Sequence, residues 1–204
     1  PITEIYRNDG SDTFVNTNAG LTGAAHCALA WGDYDQDTWP DLIVAGLYDD
    51  LALPVTKLYH NESDGGTGRQ LTEGSAGLLG LERASIAWGD YNNDNAPDLA
   101  IAGVINETFT ATSIIYRNDG SDTFTEIGLP GTSADGFGEG VWVDYDSDGD
   151  LDFAVVGPGA IVSAWAAEIY RNDGGDSFTS FNPGNGGYEA GGQAWADNDN
   201  DGDM

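Results

Sequence analysis

Four copies of a short acidic loop follow a tryptophan along this chain. Each loop carries aspartate or asparagine at positions 1, 3, 5 and 9, apart from the fourth, which stops short of position 9. Oxygen side chains at these positions are what a hard cation needs, and Ca²⁺ takes roughly six to eight oxygen ligands. The loops therefore predict calcium sites. The candidate ligands are Asp33, Asp35, Asp37 and Asp41; Asp90, Asn92, Asp94 and Asp98; Asp144, Asp146, Asp148 and Asp152; and Asp197, Asp199 and Asp201.

The charge of the chain agrees with this prediction. The net charge is −29 over 204 residues, and 16 of the 35 acidic residues lie in the four loops. Such clusters repel themselves unless cations occupy them, and four Ca²⁺ ions would offset 8 of the negative charges. Weak calcium loops fill best where free Ca²⁺ is millimolar, which favours an extracellular or cell-surface, secreted protein.

The composition also argues against nucleic acid and membranes as partners. Only six Lys and Arg residues are present to meet phosphates, so nucleic acid and anionic membrane surfaces are not expected partners. No apolar run reaches the roughly 18 residues of a membrane span, so membrane insertion is not expected. The single cysteine, Cys27, excludes an internal disulfide framework.

The loops belong to a repeat, because their tryptophans lie 57, 54 and 53 residues apart. Each full unit contains four strand-like segments: one that ends in the tryptophan, an apolar run closed by glycine, a segment with tyrosine, and one after a hairpin turn. No segment shows a sustained helical period. This pattern predicts an all-β fold, a β-propeller made of four-stranded antiparallel blades.

The chain is out of phase with its own repeat. The single array, 1–204, divides into three complete blades at 27–73, 83–128 and 138–182, and a split, incomplete fourth blade whose parts are 3–17 and 188–204. The split fits a fragment of a longer propeller, or a subunit whose exposed edges another chain completes. Truncation is the simpler interpretation, because an unpaired edge strand promotes aggregation.

The loop and the segment that follows it resemble the FG-GAP/VCBS repeats of integrin-like propellers. The residues that carry the resemblance are Asp144-x-Asp146-x-Asp148-Gly149-x-x-Asp152 and segments such as Tyr116-Arg117-Asn118-Asp119-Gly120. The resemblance implies Ca²⁺ binding through side chains 1, 3, 5 and 9 and the backbone carbonyl at position 7. It also implies an extracellular binding or adhesion scaffold, without specifying a ligand.

The loops depart from that pattern at position 6, where glycine allows a left-handed backbone. Gly149 and Gly202 keep the glycine, Asn95 tolerates the conformation, and β-branched Thr38 disfavours it. Loop three is therefore expected to bind most tightly, while Asn92 leaves loop two with three carboxylates. We expect three to four Ca²⁺ ions in all, with a structural role.

Aromatic and basic residues also recur with the repeat. The recurring tryptophans, Trp31, Trp88, Trp142 and Trp195, are predicted to lie in the core. Trp39 and Trp165 break the pattern and are candidates for stacking on a sugar. The recurring arginines, Arg7, Arg117 and Arg171, with His60 in the fourth slot, are predicted to form structural ion pairs.

The sequence offers little support for catalysis, because His26 beside Cys27 lacks a recognisable partner and every carboxylate cluster lies in a metal loop. The leading hypothesis is a non-enzymatic, calcium-stabilised module for adhesion or binding of an extracellular protein or glycan ligand. One alternative is a structural subunit that self-associates head to tail through its split blade into a filament or ring. Another is a non-catalytic fragment of a polysaccharide-active enzyme.

Overall fold

The computed structural model describes residues 1–48, 53–66, 68–105, 111–130, 139–158, 165–184 and 193–197. All regular secondary structure in these ranges is β-strand. The strands are β1 Tyr6–Asn8, β2 Phe14–Asn16, β3 Ala24–Gly32, β4 Asp41–Tyr48, β5 Leu53–Ser63, β6 Arg69–Glu73, β7 Glu82–Gly89, β8 Asp98–Val104, β9 Ala111–Gly120, β10 Thr123–Ile127, β11 Gly140–Val143, β12 Asp152–Pro158, β13 Trp165–Asn172 and β14 Phe178–Phe181.

The strands form three four-stranded antiparallel sheets and one two-stranded sheet within the described ranges. Blade one is β3-β4-β5-β6, blade two is β7-β8-β9-β10 and blade three is β11-β12-β13-β14, each with its strands side by side in chain order. Strands β1 and β2 pair with each other. The predicted all-β fold of four-stranded antiparallel blades is therefore confirmed.

The second strand of each blade forms the centre of the core. In β4 the side chains of Leu42, Ile43, Val44 and Ala45 are all at most 1% exposed, although successive residues point to opposite faces. A strand that is apolar on both faces needs cover from both sides, which adjacent blades supply. The equivalent strands β8 and β12 are buried in the same way.

Adjacent blades contact each other through their first strands, with β7 lying between β3 and β11. The indole of Trp88 covers Gly32 of the preceding blade, and the indole of Trp142 covers Gly89. A β-carbon at either glycine would lie 2.6 Å from the indole. These glycines therefore permit the close approach of one blade to the next.

The core prediction was wrong for Trp31, whose side chain is 44% exposed. Trp88 and Trp142 each pack against the acidic loop of the preceding blade, and no such loop precedes Trp31 among the described residues. Trp195 is half-buried and packs beside Val143, Ala154 and Ile169. The burial of each indole thus depends on a neighbouring repeat.

The described ranges contain no helix with the length and hydropathy of a membrane span.

Candidate metal loops and the contacts between blades

The three described loops join the first strand of each blade to the second. Loop one occupies 33–40, loop two 90–97 and loop three 144–151, and position 9 is the first residue of the following strand. Positions 4 and 6 both have positive φ. The angles are +61° and +77° for Gln36 and Thr38, +58° and +74° for Asn93 and Asn95, and +57° and +97° for Ser147 and Gly149. Thr38 thus adopts the left-handed conformation that its branched side chain disfavours.

The carboxylate at position 1 fixes each loop by accepting backbone N–H groups. One oxygen accepts from position 6, at 3.0 Å from Asp33 to Thr38, 2.8 Å from Asp90 to Asn95 and 3.1 Å from Asp144 to Gly149. In loops two and three the other oxygen accepts from position 5, Asp94 or Asp148. The three loops therefore share one backbone geometry, in which the position-1 carboxylate accepts the N–H of position 6.

The aspartate at position 9 ties the loop to the third strand of the same blade. Oδ1 of Asp41, Asp98 and Asp152 accepts the backbone N–H of Asn61, Asn118 and Asn172 respectively, at 2.8, 2.8 and 2.7 Å. All three aspartates are at most 1% exposed. Burial of the charge is the main reason that their pKa values are raised, to about 6 for Asp41, about 7 for Asp98 and about 6 for Asp152.

Loop one is exceptional because two of its buried carboxylate oxygens lack a hydrogen-bond partner among the described residues. They are Oδ1 of Asp33 and Oδ2 of Asp41. In loop two the equivalent oxygens accept the N–H groups of Asp94 and Tyr91, at 3.0 and 3.2 Å. A buried, unpartnered carboxylate oxygen is costly unless a cation or donor reaches it.

The structure brings some of the predicted ligands into compact groups. Ligand atoms of Asp33, Asp35 and Asp37 lie within 4.8 Å of one another, as do those of Asp144, Asp146 and Asp152. Asp148 is not in the second group, and within the described residues the carboxylates of loop two form no such group. Loop two instead links Asn92 to Asp94 through a 3.0 Å side-chain hydrogen bond.

The fourth loop is only partly described. Asp197 lies within the described residues, whereas Asp199 and Asp201 lie outside them. The N-glycosylation pattern Asn-x-Ser/Thr occurs at Asn61-Glu-Ser63 and at Asn106-Glu-Thr108, and the second copy lies outside the described residues.

A tyrosine at loop position 2 connects each loop to the next blade. Tyr34 stacks on Trp88 of blade two, with ring centroids 6.1 Å apart, and its ring also contacts Phe124. Tyr91 makes the same contacts with blade three, to Trp142 at 5.8 Å and Phe178 at 5.5 Å. Aromatic residues of one blade therefore enclose the loop of the preceding blade.

The hydroxyl of each of these tyrosines donates to an aspartate in the hairpin of the next blade. Tyr91 donates to Asp176 at 2.6 Å, and Tyr34 donates to Asp122 at 2.5 Å. A basic residue on the third strand of the tyrosine's own blade completes the contact. Arg117 bonds to Asp176, and His60 Nε2 lies 3.0 Å from Asp122 Oδ2. We call each tyrosine–aspartate–base set an inter-blade latch.

The latch at His60 borders a depression of about 470 Å³ between blades one and two. Its lining includes Tyr34, Asp35, His60 and Asp122. Burial opposes charge on the imidazole, but the hydrogen bond and charge of Asp122 outweigh it and raise the pKa of His60. An acidic surface thus faces this depression.

Sequence reasoning assigned no role to the latch tyrosines or to the hairpin aspartates. The available signal was their recurrence, since tyrosine stands at loop position 2 in the first three loops and aspartate follows the hairpin turn at Asp12, Asp122 and Asp176. Recurrence alone does not reveal the contact, because each tyrosine and its aspartate partner lie in different repeats. The ion pairs predicted for the recurring arginines are present in the structure. Arg171, for example, lies 2.6 Å from Asp173.

Comparison with known proteins agrees with the loop geometry. Residues 33–101 match a family model described as an FG-GAP-like repeat. This segment of the chain is therefore similar to an FG-GAP-like repeat. The matched FG-GAP segment begins at the first aspartate of loop one and ends inside β8, so it contains loops one and two. No curated protein matches the chain.

Ten chains of solved structures also resemble this chain. One is a lectin from Agrocybe aegerita, described by its specific recognition of non-reducing terminal N-acetylglucosamine, with a TM-score of 0.50 and 16% identity. The match covers 86% of this chain and 45% of the lectin chain. The chain thus spans less than half the length of that lectin, and the likeness concerns the fold.

Proposed function

We propose that this protein is a non-catalytic, calcium-stabilised propeller module, secreted or displayed at the cell surface, that binds a glycan or protein ligand. Ca²⁺ is proposed to bind the acidic loops and to fix the connection between the first two strands of each blade. The observation that carries the proposal is the shared carboxylate geometry of loops one to three. In each of these loops the position-1 and position-9 aspartates are oriented by backbone N–H groups.

The donor set of loop three fits Ca²⁺ well. Asp144, Asp146 and Asp152 gather their oxygens within 4.8 Å of one another, a span that oxygens about 2.4 Å from a shared ion can occupy. Gly149 takes the left-handed conformation without a β-carbon, so the loop has little strain at position 6. These residues support loop three as the strongest calcium site.

Loop one also suits a cation, because two of its buried carboxylate oxygens are unpartnered within the described ranges. Asp33 and Asp41 each keep a buried oxygen that accepts no hydrogen bond among the described residues. A cation bound at either atom would satisfy that oxygen and offset the charge that burial disfavours. Loop one is therefore proposed as a second cation site despite the left-handed threonine at position 6.

An exposed aromatic side chain within loop one supports ligand binding. The Trp39 side chain is 47% exposed, and the guanidinium of Arg69 lies 4.0 Å from its ring centroid. Arg69 also lies 3.6 Å from Asp37. An ordered indole beside a charged donor suits the apolar face and hydroxyl groups of a sugar. The likeness to a lectin fold is consistent with a glycan as ligand.

Thermal unfolding with and without a calcium chelator tests the metal role. Ligand bound only to the folded state contributes RT ln(1 + [L]/Kd), about 2.7 kcal/mol at a hundredfold excess over Kd. Chelation is expected to lower the melting temperature, and Asp146→Ala is expected to reduce the gain from added Ca²⁺. The matched control is Asp12→Ala, which removes an exposed carboxylate outside the loops. An unchanged melting temperature after chelation would contradict the calcium assignment.

A further inference from the structure

Loop one has a nitrogen ligand beside its carboxylates. His60, on β5, places Nδ1 3.6 Å from Asp35 Oδ2. Ligand atoms of Asp35, Asp41 and His60 all lie within 4.8 Å of one another. In the next two repeats arginine occupies the same place, and a guanidinium is a permanent cation that does not ligate metal ions.

Asp41 provides an oxygen for this group. Its Oδ1 accepts the N–H of Asn61 at 2.8 Å, so Oδ2 is the remaining atom. That oxygen is buried and has no hydrogen-bond partner in the described part of the chain. In loop three, by contrast, Oδ2 of Asp152 accepts the N–H of Tyr145 at 3.0 Å. Loop one therefore keeps an oriented, unpartnered acceptor where the other loops have a hydrogen bond.

Asp122 orients the imidazole for ligation. His60 Nε2 lies 2.9 Å from Asp122 Oδ1 and 3.0 Å from Oδ2, so Nε2 is the nitrogen that donates to the carboxylate. The Tyr34 hydroxyl lies 2.8 Å from both ring nitrogens but donates its own proton to Asp122. The lone pair of a neutral His60 is then on Nδ1. A carboxylate behind a histidine is the usual support for a metal-bound imidazole.

The geometry points to a transition-metal site of the Zn²⁺ type in loop one, with His60 Nδ1, Asp35 Oδ2 and Asp41 Oδ2 as protein ligands. Imidazole with carboxylate suits Zn²⁺, whereas Ca²⁺ prefers oxygen alone. Two ligands 3.6 Å apart that share an ion at about 2.1 Å subtend about 118°, close to tetrahedral. Water from the adjoining depression completes the coordination. The inference rests on the proposed cation role of loop one and does not involve loops two and three.

Titration calorimetry with ZnCl₂ tests this site. Metal-stripped protein is first saturated with millimolar Ca²⁺, so that loops two and three are filled and Zn²⁺ must displace any Ca²⁺ that loop one holds. All variants carry Cys27→Ser, because the exposed thiol is itself a zinc ligand. The test variant is His60→Arg, which installs the residue of the other latches and keeps a base beside Asp122. The comparison variant is His26→Ala, which removes the other histidine.

The parent protein is expected to bind about one equivalent of Zn²⁺, and His60→Arg to weaken that binding by at least about tenfold. Asp41→Asn is expected to weaken it as well, while His26→Ala leaves it unchanged. X-ray absorption at the zinc edge should show an imidazole ligand in the parent and not in His60→Arg. Equal Zn²⁺ affinity in parent and His60→Arg would overturn the inference.

The calcium measurements separate this inference from the proposed function. Loss of the calcium effect in the chelation experiment, together with intact zinc binding, would overturn the calcium role alone. A calcium effect together with zinc binding that does not depend on His60 would overturn the zinc site alone.

Discussion

Trp142 of blade three lies parallel to Tyr91 in the loop of blade two, with ring centroids 5.8 Å apart and planes inclined by 8°. Gly89 lies directly beneath the indole, and its missing side chain makes room for the stack. Gly89→Ala is expected to destabilise the protein by about 1–3 kcal/mol, because the new methyl group would force the indole away from Tyr91.

Urea denaturation of Gly89→Ala checks this expectation. Gly128→Ala is the control, since a β-carbon there meets no atom within 4 Å and the backbone is not left-handed. Equal stability of the two variants would show that blade three tolerates displacement of its tryptophan.

The inter-blade latch at Asp176 should contribute measurably to stability. Asp176→Asn removes the charge that faces Arg117 and weakens the acceptor for the Tyr91 hydroxyl. The expected loss is about 1–2 kcal/mol, because Tyr91 is buried, Arg117 is half-buried, and both lose part of their counterpart. Asp12→Asn is the matched control, since Asp12 stands at the same hairpin position but is exposed and has no hydrogen bond in the described residues. A double-mutant cycle with Arg117→Gln would measure the coupling.

Calcium affinity is expected to fall as the pH decreases from 7 to 5. Burial raises the pKa of Asp98 to about 7 and that of Asp152 to about 6, so protons compete with Ca²⁺ in this range. Calorimetric titration with Ca²⁺ at several pH values measures the effect. An affinity that is flat down to pH 5 would show that these carboxyls ionise at ordinary values.

The same raised pKa values predict the pH dependence of the metal-free protein. A carboxyl whose folded pKa exceeds its ordinary value of 3.8 binds its proton more tightly in the folded state. Its contribution to stability is present below about pH 4 and is lost as the pH rises through 6 to 7. The melting temperature of metal-free protein is expected to fall between pH 5 and 7, and Asp98→Asn should make that fall smaller. A slope unchanged by Asp98→Asn would assign the effect to general charge repulsion.

Trp39→Ala is expected to abolish glycan binding on an array if the exposed indole is the stacking surface. Trp31→Ala is the control, because Trp31 is exposed to a similar extent, 44% against 47%. Binding that survives in Trp39→Ala would place the ligand elsewhere, and no signal from the parent protein would favour a protein ligand.

The sequence was sufficient to predict the strands and the loops, because both are local patterns that recur. The four-residue apolar run Leu42–Ala45 and the spacing of the aspartates determine them without reference to other repeats. The sequence did not predict that Trp31 is exposed or that Tyr34 reaches Asp122. Both facts depend on which repeat lies next to which surface, and that information is absent from a single unit. The zinc site proposed for loop one likewise requires His60, which follows Asp41 by 19 residues and meets it through the pairing of β4 with β5.

Two of the asparagines whose backbone N–H groups donate to the position-9 aspartates also reach into the preceding blade. Asn118 Nδ2 donates to the carbonyl oxygen of Tyr34 at 2.8 Å, and Asn172 Nδ2 donates to that of Tyr91 at 2.8 Å. When one blade opens, its neighbour loses a support for its own loop. Heat or denaturant should therefore melt the array in a single cooperative transition, and an ion that leaves one blade should loosen the whole molecule.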